Sequence, residues 1–342
     1  MMKEKIFGRL FFMEGKVLVL GATGAMGIYL VPELVKRGFR VDAVALDAVS
    51  PFEKNVRYMQ GDALDAAFAD SLVAGGYDAV VDFLIYEDIA RFYRRQKTFL
   101  RRAGQYIYLS SYRVYANEDA VITESSPRLL DVSKDAAYLA KNEYGLYKAK
   151  GENILWTAKE KNWTIVRPAI TYSKFRFQLV TLEANAFLPR VKAGKKVYLP
   201  DAAMGVQATM SWAGDVAAMI AGLVCNPAAR AQAFTVATAE HHTWREVAEI
   251  YKRLIGLDYE VIPAEDYLDI VGRGGREQLY YDRCFDRVID NSKILAAAGM
   301  EQRGLTTLEE GLKRELAALP ADYSWPKTHM DMDAYRGKEE TK

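Results

Sequence analysis

Lys16–Val–Leu–Val–Leu–Gly–Ala–Thr–Gly–Ala–Met–Gly27 is the stretch on which the fold turns. Its apolar, β-branched run, Val17–Leu20, reads as a buried parallel strand. It stops at glycines spaced three apart, Gly21, Gly24 and Gly27, and Ile28–Arg37 then continues as an apolar-periodic helix ending at Gly38. In that setting Gly21 permits a tight turn, Gly24 lets backbone approach a pyrophosphate, and Gly27 lets helix pack close to strand. The helix N-terminus offers free N–H groups and a positive dipole end to phosphate. The stretch therefore predicts a dinucleotide site, with a ligand-free strand–helix turn as the competing reading.

Outward from it, Gly15 to about Ile170 alternates strand and helix, the signature of a parallel sheet covered by helices. Strands are expected at Lys16–Leu20, Val41–Leu46, Val56–Gln60, Ala79–Phe83, Tyr106–Ser110 and Thr164–Arg167. Helices are expected around Tyr29–Lys36, Ala66–Ala74, Asp88–Arg102 and Tyr138–Lys161, although Pro32 interrupts the first. Beyond Tyr172 the alternation loosens: Lys195–Pro200 and Phe234–Ala237 read as strands. Trp212–Leu223, Thr243–Ile255, Asn291–Ala298 and Leu308–Leu316 read as helices, the second opened by a Thr243/Glu246 capping box. The expected fold class is α/β: a doubly wound parallel-sheet (Rossmann) domain over 15–172, with a return near 206–240, and a smaller C-terminal α/β substrate lobe over 173–325. Residues 1–14 read as an extension adding little to the fold, and 326–342 as a frayed polar tail.

Composition narrows the function. Half of the 342 residues are hydrophobic, ample for a core, and the net charge of +1 gives no basic field to favour nucleic acid. Two cysteines, Cys225 and Cys284, and three histidines exclude a disulfide framework and offer no metal-ligand cluster. That usage suits a reducing cytoplasm, and no apolar run is long enough for a membrane span.

Three groups of residues carry chemistry. Asp47 ends the second strand, 20 residues after Gly27, where a carboxylate accepts from both ribose hydroxyls and repels a 2′-phosphate, favouring NAD over NADP. Asp62, ending the third strand, is a candidate for the adenine amino group or a plain turn aspartate. Tyr144 and Lys148, at i and i+4, share a helix face, where an ammonium favours the phenolate and makes tyrosine a usable base. Tyr147 has no lysine four residues on. Finally, Tyr106–Leu109 runs into Ser110–Ser111 on the expected ligand edge of the sheet, where a hydroxyl can bond a substrate oxygen changing from alcohol to carbonyl.

Together these pieces resemble the extended short-chain dehydrogenase/reductase superfamily, and within it the NAD-dependent epimerase/dehydratase family. Gly21–Gly27 matches its Gly-x-x-Gly-x-x-Gly, and Ser110–Ala116 its Ser-Ser-x-x-Val-Tyr-Gly, with Ser111 on the catalytic Ser/Thr. Tyr144–Lys148 matches its Tyr-x-x-x-Lys, Arg167–Tyr172 its Arg-Pro segment, and Ser211–Val216 its later Asp-Val helix start. Asp290–Lys293 is similar to a late segment of some members, including chloroplast RNA-binding relatives. Dehydratases carry Asp-Glu after the catalytic Ser/Thr; here stand Tyr112 and Arg113, so the acid and base for water elimination are missing.

The resemblance implies NAD as cofactor, held by Gly21, Gly24, Ala25, Met26, Gly27, Asp47, Asp62, Ala63, Phe83, Leu84, Tyr144, Lys148 and Pro168. It implies Ser111, Tyr144 and Lys148 as the catalytic set, with no metal, and a homodimer by analogy alone. The expected activity is epimerisation of a sugar, on a nucleotide, by transient oxidation of a hydroxyl to a ketone. A NAD(P)(H)-dependent dehydrogenase of a non-nucleotide small molecule is the alternative; an RNA-binding relative without catalysis comes third, opposed by the intact catalytic set. Substrate contacts are expected from Ser111, Tyr172, Arg245 and Arg283. The last two belong to a C-terminal group with Arg273, Arg276 and Arg287 among glycines and aromatics, suited to gripping a diphosphate.

Overall fold

Successive residues of a strand face opposite ways, and the first strand uses both faces. In the computed structural model, which describes residues 15–86 and 88–339, β1 (Lys16–Leu20) sends Val17 and Val19 into one core and Leu18 and Leu20 into another. It is an interior strand of a seven-stranded sheet with β2 (Arg40–Ala45), β3 (Val56–Gln60), β4 (Ala79–Asp82), β5 (Tyr106–Leu109), β6 (Trp163–Pro168) and β7 (Gln232–Val236). The order is β7-β6-β5-β4-β1-β2-β3, and every pairing is parallel. The order reverses beside β1, the switch point at which doubly wound folds bind ligands. The expected 1–14 extension lies outside the described residues.

Helices cover both faces. On one side α1 (Gly27–Lys36) and, later in the chain, α5 (Ala213–Leu223) bury Leu30, Leu34, Val216 and Ile220. On the other, α3 (Ile89–Arg102) and α4 (Tyr144–Trp156) bury Phe92, Phe99 and Leu155, and α2 (Ala66–Val73) closes the edge with Leu72. α1 runs through Pro32 without a break, although that residue has no N–H to give.

The helix expected over Tyr138–Lys161 is shorter. Ala136–Leu139 is a separate turn, and α4 begins only after Glu143, whose carboxylate caps it by accepting from Gly145 N at 2.6 Å. The chain leaves α4 after Trp156, at Thr157.

Most of the remaining chain forms a lobe around its own core of Phe177, Phe187, Tyr198, Trp244, Tyr251 and Tyr267, while the helix Ser292–Ala298, expected within the lobe, returns Ile294 and Leu295 to the sheet core. Val197–Pro200 pairs with Tyr259–Ile262, and Ile170–Tyr172 with Met210–Trp212, both in parallel. The Thr243/Glu246 capping box forms: Glu246 N donates to Thr243 Oγ1 and Thr243 N to Glu246 Oε2. The tail differs from its expected frayed state. Met332–Glu339 is a helix, with Met332 buried and Asp333 paired to Arg190 at 2.9 Å and Lys195 at 2.6 Å.

One buried carboxylate ties α4 to the sheet. Glu152 takes Arg167 Nε and Nη2 from β6, both at 2.8 Å, Arg128 Nη1 at 3.1 Å and the Ser110 hydroxyl at 2.6 Å. Removing that charge strands the Arg167 guanidinium in the interior, while Arg128 keeps Asp131 at 2.7 Å. Glu152→Gln is expected to cost about 3 kcal/mol of folding stability, read as a lowered urea midpoint; a change within about 0.5 kcal/mol, the range of ordinary surface substitutions, would reduce the joint to a spectator.

Candidate active site

The carboxyl ends of β1, β4, β5 and β6 open onto a cleft of about 230 Å³. Met26, Ile85, Ser111, Tyr144, Pro168 and Thr171 line its sheet side. Arg113, Arg176, Gln178, Glu183, Gln278 and Arg283 line the rest.

The glycine turn has the form a dinucleotide needs. Gly21 sits at φ +80°, a region open to glycine, and its missing side chain leaves room for Phe83 and Leu84. A Cβ on Gly27 would stand 2.5 Å from Ala22 O, so helix and strand approach closely only because it is absent. Met26 caps α1 without a side-chain hydrogen bond, so no side chain competes for the first-turn N–H groups. Asp47 is exposed beside the turn and accepts from Thr23 Oγ1 at 3.0 Å. Asp62 folds back onto Leu64 N at 2.8 Å, an Asx turn, with Ala63 buried beneath it. This arrangement fits NAD: a phosphate cradle at a helix end, and a carboxylate at the tip of the next strand.

Ser111 and Tyr144 face the same cleft. Ser111 caps the short turn Tyr112–Val114, its hydroxyl accepting from Arg113 N at 3.2 Å, and stays able to donate. Tyr147 instead lies buried behind the cleft, its hydroxyl without a partner among the described residues. Lys148 is fully buried and donates to Leu109 O at 2.6 Å, its nitrogen 5.6 Å from the Tyr144 ring centre. Burial pulls its ammonium down to about 8, against the Asp82 and Glu152 carboxylates, which favour the charge. Burial also pushes the Tyr144 phenol above the ordinary tyrosine value, and the leading cations that pull it back are Arg113 and Arg176. The Tyr144–Lys148 spacing alone points to Lys148 for that pull.

Several residues of the site were not foreseen. Asp82, buried at the end of β4, accepts from Tyr86 and Tyr106 hydroxyls at 2.5 and 2.7 Å. Arg113, singled out only as a departure beside Ser111, pairs with Glu143 and with Asp282, the latter at 3.3 Å. Asp282 and Arg283 both point inward from a π-helical turn, Leu279–Arg283. Asp282 also takes Arg287 at 2.7 Å and the Tyr112 hydroxyl at 2.7 Å, and these cations hold it below the carboxylate range although burial opposes them. Nothing in the sequence around Arg176 or Gln178 marked them.

Of the expected substrate residues, Ser111 and Arg283 line the cleft. Tyr172 does not: it is in the lobe core, its hydroxyl 3.4 Å from Leu308 O. Arg245 stands exposed on the helix Trp244–Ile255, outside the lining. Arg276 is exposed and pairs with Glu265, and Arg287 lies under the cleft on Asp282. Ser211–Val216 and Asp290–Lys293 brace the fold instead: Asp215 accepts from Thr306 N, and Lys293 donates to Ala233 O of β7. Among the described residues there is no group of side chains suited to a metal and no helix long and apolar enough to cross a membrane.

Known proteins share this architecture. The sequence model of the NAD dependent epimerase/dehydratase family matches residues 17–221, more than half of the chain. Chloroplast stem-loop binding protein of 41 kDa b from Arabidopsis thaliana is 27% identical over 252 residues, 69% of this chain. The chain spans 62% of that relative's length. The fold matches Bordetella bronchiseptica WbmG, solved with NAD, at TM-score 0.65 and 18% identity, over 89% of this chain and 93% of that one. MoeE5, solved with UDP-glucose and NAD, matches at TM-score 0.65 and 19% identity, over 89% and 98%.

Lys148 generates a pH signature. Its folded value of about 8 lies below the usual 10.5, so the folded state binds fewer protons between them. Its contribution to stability is therefore lowest below pH 8 and grows as pH rises towards 10.5. Relative to Lys148→Met, the wild type should gain stability across that window at up to about 1.4 kcal/mol per pH unit. Urea melts of both proteins at pH 7, 8, 9 and 10 measure the difference, and parallel curves would mean a solvated ammonium.

Proposed function

The chain belongs to the NAD dependent epimerase/dehydratase family, and from that premise we propose that it epimerises a sugar, carried on a nucleotide, through a transient ketone. The observation that carries the reading is that Ser111 and Tyr144 line one cleft beside the glycine turn, with Lys148 one helical turn further along α4. NAD, the family's cofactor, supplies an acceptor that takes a hydride and gives it back.

The roles follow from position and chemistry. The Tyr144 phenolate removes the proton from the substrate hydroxyl and later returns it. Ser111 Oγ hydrogen-bonds the reacting oxygen as it becomes a carbonyl. Lys148, on Leu109 O, has donors left for the nicotinamide ribose. Asp47 takes the adenosine ribose hydroxyls, Asp62 and Ala63 border the adenine, and Gly21–Gly27, with Ala25 and Met26, cradle the pyrophosphate. Phe83, Leu84 and Pro168 wall the inner half of the cofactor groove. Arg283, bound to Asp282, Val180, Tyr112 and Gln178, keeps one Nη2 N–H with which to border the diphosphate of the sugar nucleotide. Water elimination is disfavoured, since Tyr112 and Arg113 are committed to Asp282 and Glu143 rather than offering an acid and a base. Structures of the same fold hold NAD with a nucleotide sugar, which supports the substrate class. The name of the Arabidopsis relative raises RNA binding as another role, and the intact Ser111, Tyr144 and Lys148 favour chemistry.

Turnover of a nucleotide sugar to its epimer, with no added cofactor and no net NADH, tests the reading. A requirement for stoichiometric NAD(H) would make the protein a dehydrogenase instead. Tyr144→Phe should abolish turnover while cofactor affinity stays close to wild type, and Tyr147→Phe should be far milder. Equal losses in the two variants would place the base elsewhere on α4.

NAD(H) should bind at least tenfold more tightly than NADP(H), a difference of about 1.4 kcal/mol. Asp47→Ala should narrow that ratio. Equal affinities of the wild type in a fluorescence titration would remove Asp47 from the ribose.

A further inference from the structure

Three guanidiniums line the cleft, and two of them are committed to the protein. Arg113 is held by Glu143 and Asp282. Arg283 is held by Asp282, by Val180 O at 2.7 Å, by the Tyr112 hydroxyl at 3.2 Å and by Gln178 Oε1 at 3.3 Å. Arg176 differs. Among the described residues its side chain makes one hydrogen bond, Nη1 to Thr171 O at 3.1 Å, and pairs with no carboxylate. Glu183, the acid that shares the lining, instead receives Gln178 Nε2 at 2.5 Å.

The backbone is built to present this residue. Ser173 N donates to Arg176 O at 3.0 Å and Arg176 N to Ser173 O at 2.9 Å, closing a two-residue turn. Phe175 in that turn sits at φ +66°, a left-handed conformation that a bulky side chain adopts only when its surroundings impose it. Its ring stacks on Tyr323 at 4.4 Å, pinning the turn from outside the cleft.

We propose that Arg176 anchors an oxyanion of the substrate, and that this oxyanion is a carboxylate attached next to the carbon whose hydroxyl meets Tyr144. The inference rests on the functional reading above and adds a charge to the substrate it names. A guanidinium offers five N–H donors in a planar fork that fits an oxyanion through two parallel hydrogen bonds. Arg176 has most of them free and is half-buried, so neutral hydroxyl groups would leave its charge uncompensated in a partly dry cleft. Arg176 and Tyr144 line the same cleft of about 230 Å³, so an anion held by the guanidinium shares that space with the reacting carbon. The diphosphate of a sugar nucleotide is several bonds from that carbon. A sugar acid therefore fits better than a neutral sugar.

Calorimetry on the full chain with NAD present tests this, using UDP-glucuronic acid, UDP-glucose, UDP, free glucuronate, glucose and inorganic phosphate as probes. The wild type should bind each acid at least tenfold more tightly than its neutral counterpart. Arg176→Gln should erase that preference while leaving the affinity for UDP unchanged, and Arg176→Lys should keep part of it. Acid and neutral sugars binding alike, or a preference that survives Arg176→Gln, would overturn the anchor. So would complete absence of acid binding. Loss of phosphate or UDP affinity in Arg176→Gln, without loss of acid preference, would assign the residue to a phosphate and overturn the carboxylate. If glucuronate binds through Arg176 but no nucleotide sugar does, the anchor stands and the nucleotide part of the functional reading falls.

Discussion

The site depends on a carboxylate that never meets the cleft. Glu152 lies on α4 two turns beyond Tyr144 and one beyond Lys148, and it is buried between arginines from β6 and from the segment before α4. Each of these ions alone would cost several kcal/mol to bury, and only their mutual arrangement repays it. The bidentate fork of Arg167 has one good orientation relative to Glu152, so it fixes how α4 lies across the sheet. Arg128 adds a second constraint by stacking over Trp156 at 4.2 Å, at the end of the same helix. The Arg-Pro segment thus acts on the chemistry through the angle of a helix.

Asp282 repeats the device on the opposite side of the cleft. The wide π-helical turn sends two consecutive residues inward, which an α-helix would separate by 100°. One of them is the carboxylate that gathers Arg113, Arg283 and Arg287; the other is one of those arginines. With Glu143 also on Arg113, two acids face three cations, and the remaining positive charge cannot relax because the groups are packed among Tyr112, Tyr115 and Val180. The lobe and the sheet domain are joined through that cluster, and the cleft between them inherits its sign.

This explains which features could be read from residues in order. The glycine turn, the alternation of strands, the Thr243 capping box and the Tyr144–Lys148 pair are local patterns, set by periods of two or 3.6 residues and by backbone sterics. What escaped depends on partners far along the chain. Tyr172 follows the Arg-Pro motif as a substrate residue would, yet Leu308 and Gly311 from the helix Leu308–Ala317 close over it. Arg245 follows a readable helix start, but which face of that helix meets the cleft is decided by Trp244, which packs inward. The polar tail became ordered because Met332 found the lobe core and Asp333 found Arg190 and Lys195. The break between Leu139 and Tyr144 was invisible because the Glu143 cap also answers Arg113, from another element.

The same long-range groups change how the phenol is tuned. A lysine buried as deeply as Lys148 surrenders its proton near pH 8, so its electrostatic support for a neighbouring phenolate fades just where a phenolate becomes useful. Guanidiniums do not titrate in that range. With Arg113 5.2 Å from the Tyr144 ring and Arg176 in the same lining, the positive potential at the phenol persists after Lys148 is neutral. Whichever charge it carries, Lys148 keeps its hydrogen bond to Leu109 O. The two tasks that sequence logic loads onto one lysine are divided here between a hydrogen-bond donor within α4 and arginines delivered by the turns after β5 and β6.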